Sequence, residues 1–285
     1  MGKRQGIFDE SSLLTMCQTM LEIIAGNYDF GIIECTQLLD VAVLQTFLGE
    51  IYDIQSCVFS PTMLGVPVSR HRFYADFVRK EKGLLKWTNG PSASFGYHLQ
   101  QCFGCPCSLQ GSIYFDAEPP ALRKDMFSKI AIKKGYPSLA PGGKPWHFKD
   151  VACSGSNKRV AGFLSDIMKS IEAGKRKGDD WSFNIAQTIG HTTVSTNIPA
   201  LLTGSVVYNT KWHTVLSPLS HFVVQGIPMW HHENFPHGRP LQDTLKELPD
   251  TVMKRMCGMS FHMSQLHASL YYLLSHTTYV TDEDV

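Results

Sequence analysis

The stretch from Gly65 to Val78 reads GVPVSRHRFYADFV. Gly65-Val66-Pro67 has the residues of a turn, and the aromatic and β-branched run from Arg72 to Val78 reads as a buried strand. Between them, Arg70 and Arg72 stand two apart. In an extended segment, residues i and i+2 point to the same side. The spacing therefore predicts two guanidiniums reaching in one direction at the mouth of a strand, a pair suited to a phosphate, a carboxylate or the carbonyl of a base.

Upstream of this stretch the chain alternates helix and strand. DESSLLTMCQTMLEIIAG reads as a helix that Asp9 or Ser11 can cap. Its stripe is Leu13, Cys17, Met20, Leu21 and Ile24, and Gly26 is its stop. FGIIEC is a short apolar run ending in the carboxylate of Glu34. LLDVAVLQTFLG is a second helix closed by Gly49, and DIQSCVFSP a second strand. This rhythm predicts an open α/β sheet of parallel strands. In such sheets ligands sit outside the carboxyl ends of the strands, which is where Glu34 falls. Read by itself, Glu34 also suits a surface or helix-capping role, and the two arginines also suit an exposed strand edge with salt bridges.

From about Arg79 the alternation is lost. Residues 80–160 are rich in Gly, Pro and Ser, as in KWTNGPSASFG and SLAPGGKPWHF. One helix is clear, from about Ala161 to Ala173, with Val160, Phe163, Leu164, Ile167, Met168 and Ile171 on one side. The last helix, SFHMSQLHASLYYLLSH, is apolar at Met263, Leu266, Leu270, Leu273 and Leu274.

The chain has 285 residues, with 43% hydrophobic and 18% charged, a globular composition with room for two domains. No run of eighteen apolar residues suggests a membrane span, and MGKRQGIFDESS has no apolar stretch of the secretory kind. The net charge is +1, but it is unevenly spread. From Ala121 to Asp180 there are 13 Lys and Arg against 6 Asp and Glu, and the rest of the chain has 13 against 19. The basic middle suits a polyanion or a solvated face. Eight scattered cysteines point to reduced thiols. The expected compartment is the nucleus in a eukaryote and the cytoplasm otherwise.

Taken in order, an apolar strand ending in Glu34, a helix, a strand and then Gly-x-Pro-x-x-Arg-x-Arg closely resemble the DNA (cytosine-5) methyltransferase family. The family reads Glu-Asn-Val and Gly-x-Pro-Gln-x-Arg-x-Arg at these places. LSPLSHFVVQGIP (Leu216 to Pro228) resembles its Gln-Gly-Phe-Pro segment, and CGMSFHMSQLHASLYYLL its closing helix. GKRQGIFDESSLL resembles the segment before the glutamate.

The resemblance implies a partial Rossmann-like, S-adenosylmethionine-dependent methyltransferase fold. Residues 1–80 would be the C-terminal half of a catalytic α/β domain, and 81–212 a target-recognition domain. Residues 213–285 would be a junction and closing helix. It implies methyl transfer to C5 of a cytosine flipped out of duplex DNA, through a cysteine adduct at C6. Glu34 would hold N3 of the base, and Arg70 and Arg72 would hold the base carbonyl, the Glu34 carboxylate or backbone phosphate. Gly258 and Ser260 would pack at the methyl-donor site. Gln225 and Gly226 would build the recognition junction, and Lys175, Arg176 and Lys177 would face DNA.

The departures are specific. Cys35, Val68 and Met259 stand where the family has Asn, Gln and Asn, and Ser220 or a near neighbour stands where it has Glu. The family's Pro-Cys nucleophile precedes the glutamate by about forty residues, a position just before Met1. The expectation is an N-terminally truncated or degenerate form, served by its missing half or a catalytic partner. A non-catalytic DNA-binding relative is the alternative. Pro106-Cys107 in FGCPCSLQG resembles the nucleophile loop but comes after the arginines. His98, Cys102, Cys105 and Cys107 have zinc-like ligand types at a tight spacing, and no metal is assigned to them. His231, His232 and His237 read as loop packing.

Overall fold

A computed structural model describes residues 10–80, 85–88, 95–229 and 241–279. The expectations for Asp9, for Gly2 to Phe8 and for His231, His232 and His237 lie outside them. In chain order the elements begin with α1 (Glu10–Gly26), β1 (Phe30–Thr36), α2 (Val41–Leu48), β2 (Tyr52–Phe59), β3 (Val68–Ser69), β4 (Arg72–Arg79) and β5 (Leu85–Trp87). Next come α3 (Phe95–Phe103), α4 (Ile113–Asp116), α5 (Pro120–Lys133), α6 (Phe148–Val151) and α7 (Ser154–Glu172). The short strands β6 (Ser182–Asn184), β7 (Ile198–Pro199), β8 (Val207–Asn209) and β9 (Thr214–Val215) follow. The chain then forms α8 (Pro218–Val224), α9 (Leu241–Leu245), α10 (Asp250–Met259), α11 (Met263–Ser275) and β10 (Thr277–Tyr279).

The fold is α/β, in two units. The first comprises Met1–Gly65, His71–Pro106 and Ser264–Val285, and the second Val66–Arg70 and Cys107–Met263. The resemblance places the breaks at 80/81 and 212/213; the contacts group residues 81–106 with the first unit and 213–263 with the second.

In the first unit the sheet order is β1-β4-β2. β4 runs antiparallel to both neighbours, pairing Glu34 with Tyr74 and Phe59 with Arg72. The expected all-parallel sheet is therefore corrected. β1 and β2 are parallel to each other, as a strand–helix–strand unit requires, but the later strand enters the slot between them. The slot suits its sequence. A central strand is covered on both faces, and β4 is buried without a break from Phe73 to Val78.

Its alternate side chains serve two cores. Phe73, Ala75 and Phe77 face Met20 and Ile23 of α1 and Leu44 and Leu48 of α2. Tyr74 and Val78 face Phe95 and Leu99 of α3 and Ala268, Tyr272 and Leu273 of α11. This is the doubly covered layering of a Rossmann-like sheet. α2 is capped by Asp40, whose Oδ1 accepts from the Ala42 amide at 2.9 Å.

Two helix faces differ from the sequence stripe. α1 buries Met20 and Ile23, while Leu21 is 65% exposed. α11 buries Gln265 and Ser269 beside Ala268, Tyr272 and Leu273, while Leu274 is half exposed. The reason lies in the sheet beneath α11, which presents polar groups. Gln265 Nε2 donates to the Phe59 carbonyl at 2.8 Å, and the Ser269 hydroxyl donates to Asp76 Oδ1.

The second unit is more regular than its composition suggests. β6-β8-β9 is an antiparallel sheet, and it packs through Phe183, Tyr208 and Val215 against Phe163 and Ile167 of α7 and Phe127 of α5. β3 pairs in parallel with β7. A second core joins Val68, Ile198, Leu219, Phe222, Met253 and Cys257. No helix among the described residues is long and apolar enough to cross a membrane.

Asp76 sits mid-strand in the sheet, and burial pushes its carboxyl from 3.8 up to about 8, although the Ser269 bond pulls the other way. The folded state thus holds this proton more tightly than the unfolded chain. The contribution to stability is full below pH 3.8 and is lost as pH rises to about 8. We expect Asp76→Asn to remove that slope. Urea midpoints of the parent should fall relative to the variant between pH 4 and 8, by about 1.4 kcal/mol of unfolding free energy per pKa unit of separation. Parallel curves for the two proteins would exclude Asp76 as the source.

Candidate functional site

The candidate residues separate into three groups. The first pair lies in the first unit. Glu34 is the fifth residue of β1, and Arg72 opens β4. The register sets Thr36 opposite Arg72 and Glu34 opposite Tyr74. Glu34 and Arg72 therefore share one face of the sheet as diagonal neighbours. Arg72 Nε lies 3.1 Å from Glu34 Oε1, with side chains 19% and 16% exposed. A second nitrogen of Arg72, Nη1, donates to the His71 carbonyl at 2.9 Å.

The result is a carboxylate at the C-terminal end of a strand, oriented by a guanidinium and still open to solvent. Such a carboxylate can accept from, or share a proton with, the N–H edge of a planar heterocycle. The sequence placed Glu34 toward the end of a strand and offered Arg70 or Arg72 as its partner, and the antiparallel register selects Arg72.

The second group lies in the second unit. Arg70 is buried, and it donates through Nη2 to the Ser260 carbonyl at 2.9 Å and through Nη1 to the Leu201 carbonyl at 3.4 Å. The two arginines of the opening stretch thus take different partners in different units. Strand pairing breaks at Arg70 and His71, because β3 closes at Ser69 and β4 opens at Arg72.

Gln225 and Gly226 finish α8. Gln225 Nε2 donates to the Cys257 carbonyl at 3.0 Å, and its own carbonyl accepts from the Met263 amide at 2.8 Å. Gly226 has φ +77°, and a Cβ there would stand 3.2 Å from Met263 Cβ. Gly258 lets α10 touch the chain at Leu202 and Thr203, where a Cβ would collide with backbone. The Ser260 hydroxyl donates to the Cys257 carbonyl at 2.8 Å. Arg70, Gln225, Gly226, Gly258 and Ser260 therefore meet in one junction between α8, α10 and the start of α11.

Arg70, Gln225 and Ser260 bond to backbone carbonyls within this junction, and the space beside Gly258 is filled by backbone. Gly258 and Ser260 accordingly do not fit a cofactor cradle, and no step is derived through one. Two histidines that the sequence reading passed over are held neutral at this junction. Burial pushes His221 down to about 3, with Lys254 adding to it, and His262 down to about 4, with Arg70 adding to it. Both contribute stability that is lost as pH falls below 6.5.

The third group, Lys175, Arg176 and Lys177, follows α7. Arg176 is engaged, with Nη1 3.4 Å from Asp166 Oδ2 and its guanidinium 5.4 Å from the Trp181 ring centre. Lys175 and Lys177 are exposed. Cys107 is half-buried, and its thiol donates to the Leu109 carbonyl at 3.5 Å. Among the described residues, no group of three or more His, Cys, Asp and Glu side chains could hold a metal ion.

No protein-family model matches the chain, and no curated protein matches it. Among solved structures it is similar to the crystal structure of S. pombe Dnmt2 methyltransferase, at 14% identity and a TM-score of 0.45. That similarity spans 96% of this chain and 74% of the other. A likeness at that level carries no argument about fold or activity.

The geometry assigns the two arginines different work. Arg70→Ala should cost about 2–4 kcal/mol of unfolding free energy, because it orphans buried carbonyls and empties a packed site. Arg72→Ala should cost about 1 kcal/mol or less, as for other solvent-accessible ion pairs. Urea denaturation of both variants measures this. Equal losses would mean that Arg70 does not anchor the junction.

Proposed function

We propose that this chain supplies the base-holding part of a DNA (cytosine-5) methyltransferase. The observation that carries this reading is the Glu34–Arg72 pair, a half-buried carboxylate fixed by a guanidinium at the end of β1. In the reading, Glu34 holds the N3 edge of a cytosine turned out of the duplex. Arg72 keeps the carboxylate aimed and balances its charge. A planar base needs such a polar edge contact in a site that excludes water, and it is otherwise costly to unstack.

S-adenosylmethionine would be the methyl donor when bound, and residues other than Gly258 and Ser260 would hold it. The adduct-forming cysteine would come from a partner segment carrying a Pro-Cys loop. Support for such a segment comes from β1. Among the described residues no strand pairs with its outer edge. Apolar side chains nearby in sequence are uncovered, with Leu38 75% exposed and Phe30 38%. An apolar sheet edge of this kind favours strand addition. Duplex DNA would dock on the basic stretch from Ala121 to Asp180.

Two measurements test the reading. The chain should bind a duplex with a mispaired cytosine more tightly than the fully paired duplex, because less unpairing is needed. Glu34→Gln should erase that preference while overall affinity changes little. Equal affinity for both duplexes in the parent chain would mean that there is no base pocket. In an assembly that transfers methyl groups, Glu34→Gln should slow transfer by roughly 100-fold or more, and unchanged transfer would remove Glu34 from the mechanism. Affinity for duplex DNA should fall steeply between about 50 and 200 mM salt; a salt-independent affinity would argue against the basic stretch as the docking surface.

A further inference from the structure

The second unit contains a cleft of about 1000 Å³, a volume suited to a small organic ligand. Its apolar wall is aromatic, from Phe127, Trp146, Phe148 and Tyr208. Lys124, Lys149, Arg123, His147 and His213 also line it, and no lining residue is acidic. Lys124 and Lys149 are exposed, so their charges are available to a ligand. Exposed lysines beside the accessible rings of Trp146 and Trp212, over a floor of buried Phe127, Phe148 and Tyr208, make a specific demand. It calls for a ligand with a flat π-face and an anionic group attached to it.

Trp212 is the key to the cleft. It is a large apolar side chain, 38% exposed, on the turn between β8 and β9. Rigid parts hold it in place. Its backbone N–H donates to Asn209 Oδ1 at 3.1 Å. The buried Asn209 amide donates in turn to Asp180 Oδ1 at 2.7 Å and to Ser182 Oγ at 3.0 Å.

The Arg123 guanidinium lies 5.5 Å from the indole ring centre. Arg123 is fixed from below, with Nε donating to Glu118 Oε2 at 2.7 Å and Nη2 to the Phe115 carbonyl at 3.0 Å. The buried Glu118 also accepts from the Ser217 amide at 2.8 Å and the Ser220 hydroxyl at 2.6 Å. His213, next in the chain, has φ +49°, a left-handed conformation that costs energy and is held by the turn around it. An exposed indole on a turn pinned by buried polar bonds, with a fixed guanidinium beside its ring, is a prepared stacking surface rather than a loose surface residue.

We propose that this cleft binds a nucleoside phosphate, with its base stacked on Trp212 and its phosphate held by Lys124 and Lys149. The same chemistry has two sources, a free mononucleotide or an unpaired nucleotide of a single strand. The proposal does not rest on the methyltransferase reading, whose carrying observation is the Glu34–Arg72 pair, and it uses neither residue.

Calorimetric titration of the whole chain tests it, with adenosine monophosphate, adenosine, inorganic phosphate and an unpaired hexanucleotide as probes. The monophosphate should bind, and adenosine and phosphate should each bind roughly tenfold more weakly or less. Trp212→Ala should weaken binding by roughly tenfold, and Trp212→Phe by less, since a smaller ring still stacks. Lys124→Glu with Lys149→Glu should weaken it by a similar factor and flatten its salt dependence. The double variant keeps the test open should Trp212→Ala not fold.

A hexanucleotide much tighter than the monophosphate would assign the site to single-stranded nucleic acid, and equal affinity would assign it to a free nucleotide. No binding of either probe at millimolar concentration would overturn the proposal. So would equal binding of inorganic phosphate, or binding that ignores both Trp212 and the lysines. Glu34→Gln reads the part of the mispaired-duplex preference that depends on Glu34, and Trp212→Ala reads the part that depends on the cleft, so the two readings fail separately.

Discussion

The constraint on which the first unit depends is the placement of β4 between β1 and β2. A central strand must satisfy two faces at once. β4 does so with Phe73, Ala75 and Phe77 on one face and Tyr74 and Val78 on the other. The same placement buries Asp76 and brings Arg72 within 3.1 Å of Glu34. The core and the candidate site are therefore set by one choice of register. A slip of one residue would exchange the two faces, turning Asp76 toward the aliphatic core of α1 and α2 and Arg72 away from Glu34.

Polar groups are the other organising theme. On the face covered by α11, the sheet offers Asp76 and the Phe59 carbonyl, and the helix answers with Ser269 and Gln265, one turn apart. In the second unit, Arg70 and Gln225 tie carbonyls of Leu201, Ser260 and Cys257 together. Buried bonds of this kind add little net energy when made but cost a great deal when half broken. They fix which packing arrangement is accepted more than they add to overall stability.

The middle of the chain shows how a composition signal can be right in kind and vague in place. Its basic excess is real, but the charges are not equivalent. Arg176 is paired with Asp166 and covers Trp181, and Arg123 is neutralised by Glu118 and supports Trp212. Lys124 and Lys149 are left exposed at an aromatic cleft. Counting charges cannot separate these cases, because the difference lies in which side chains the fold sets beside each charge.

The sequence by itself determined the elements that rest on local periodicity and end signals: the helix closed by Gly49, the strands FGIIEC and RFYADFV, and a glutamate at a strand end. It also located the basic middle. Tertiary structure alone decided that β4 runs antiparallel between β1 and β2, and that Arg70 and Arg72 part company two residues apart. It decided too that Leu21 and Leu274 face outward while Gln265 and Ser269 face inward. The physical reason is range. Periodicity and capping act over one or two turns of chain, whereas strand order, buried polar partners and the walls of a cleft come from residues tens to hundreds of positions apart.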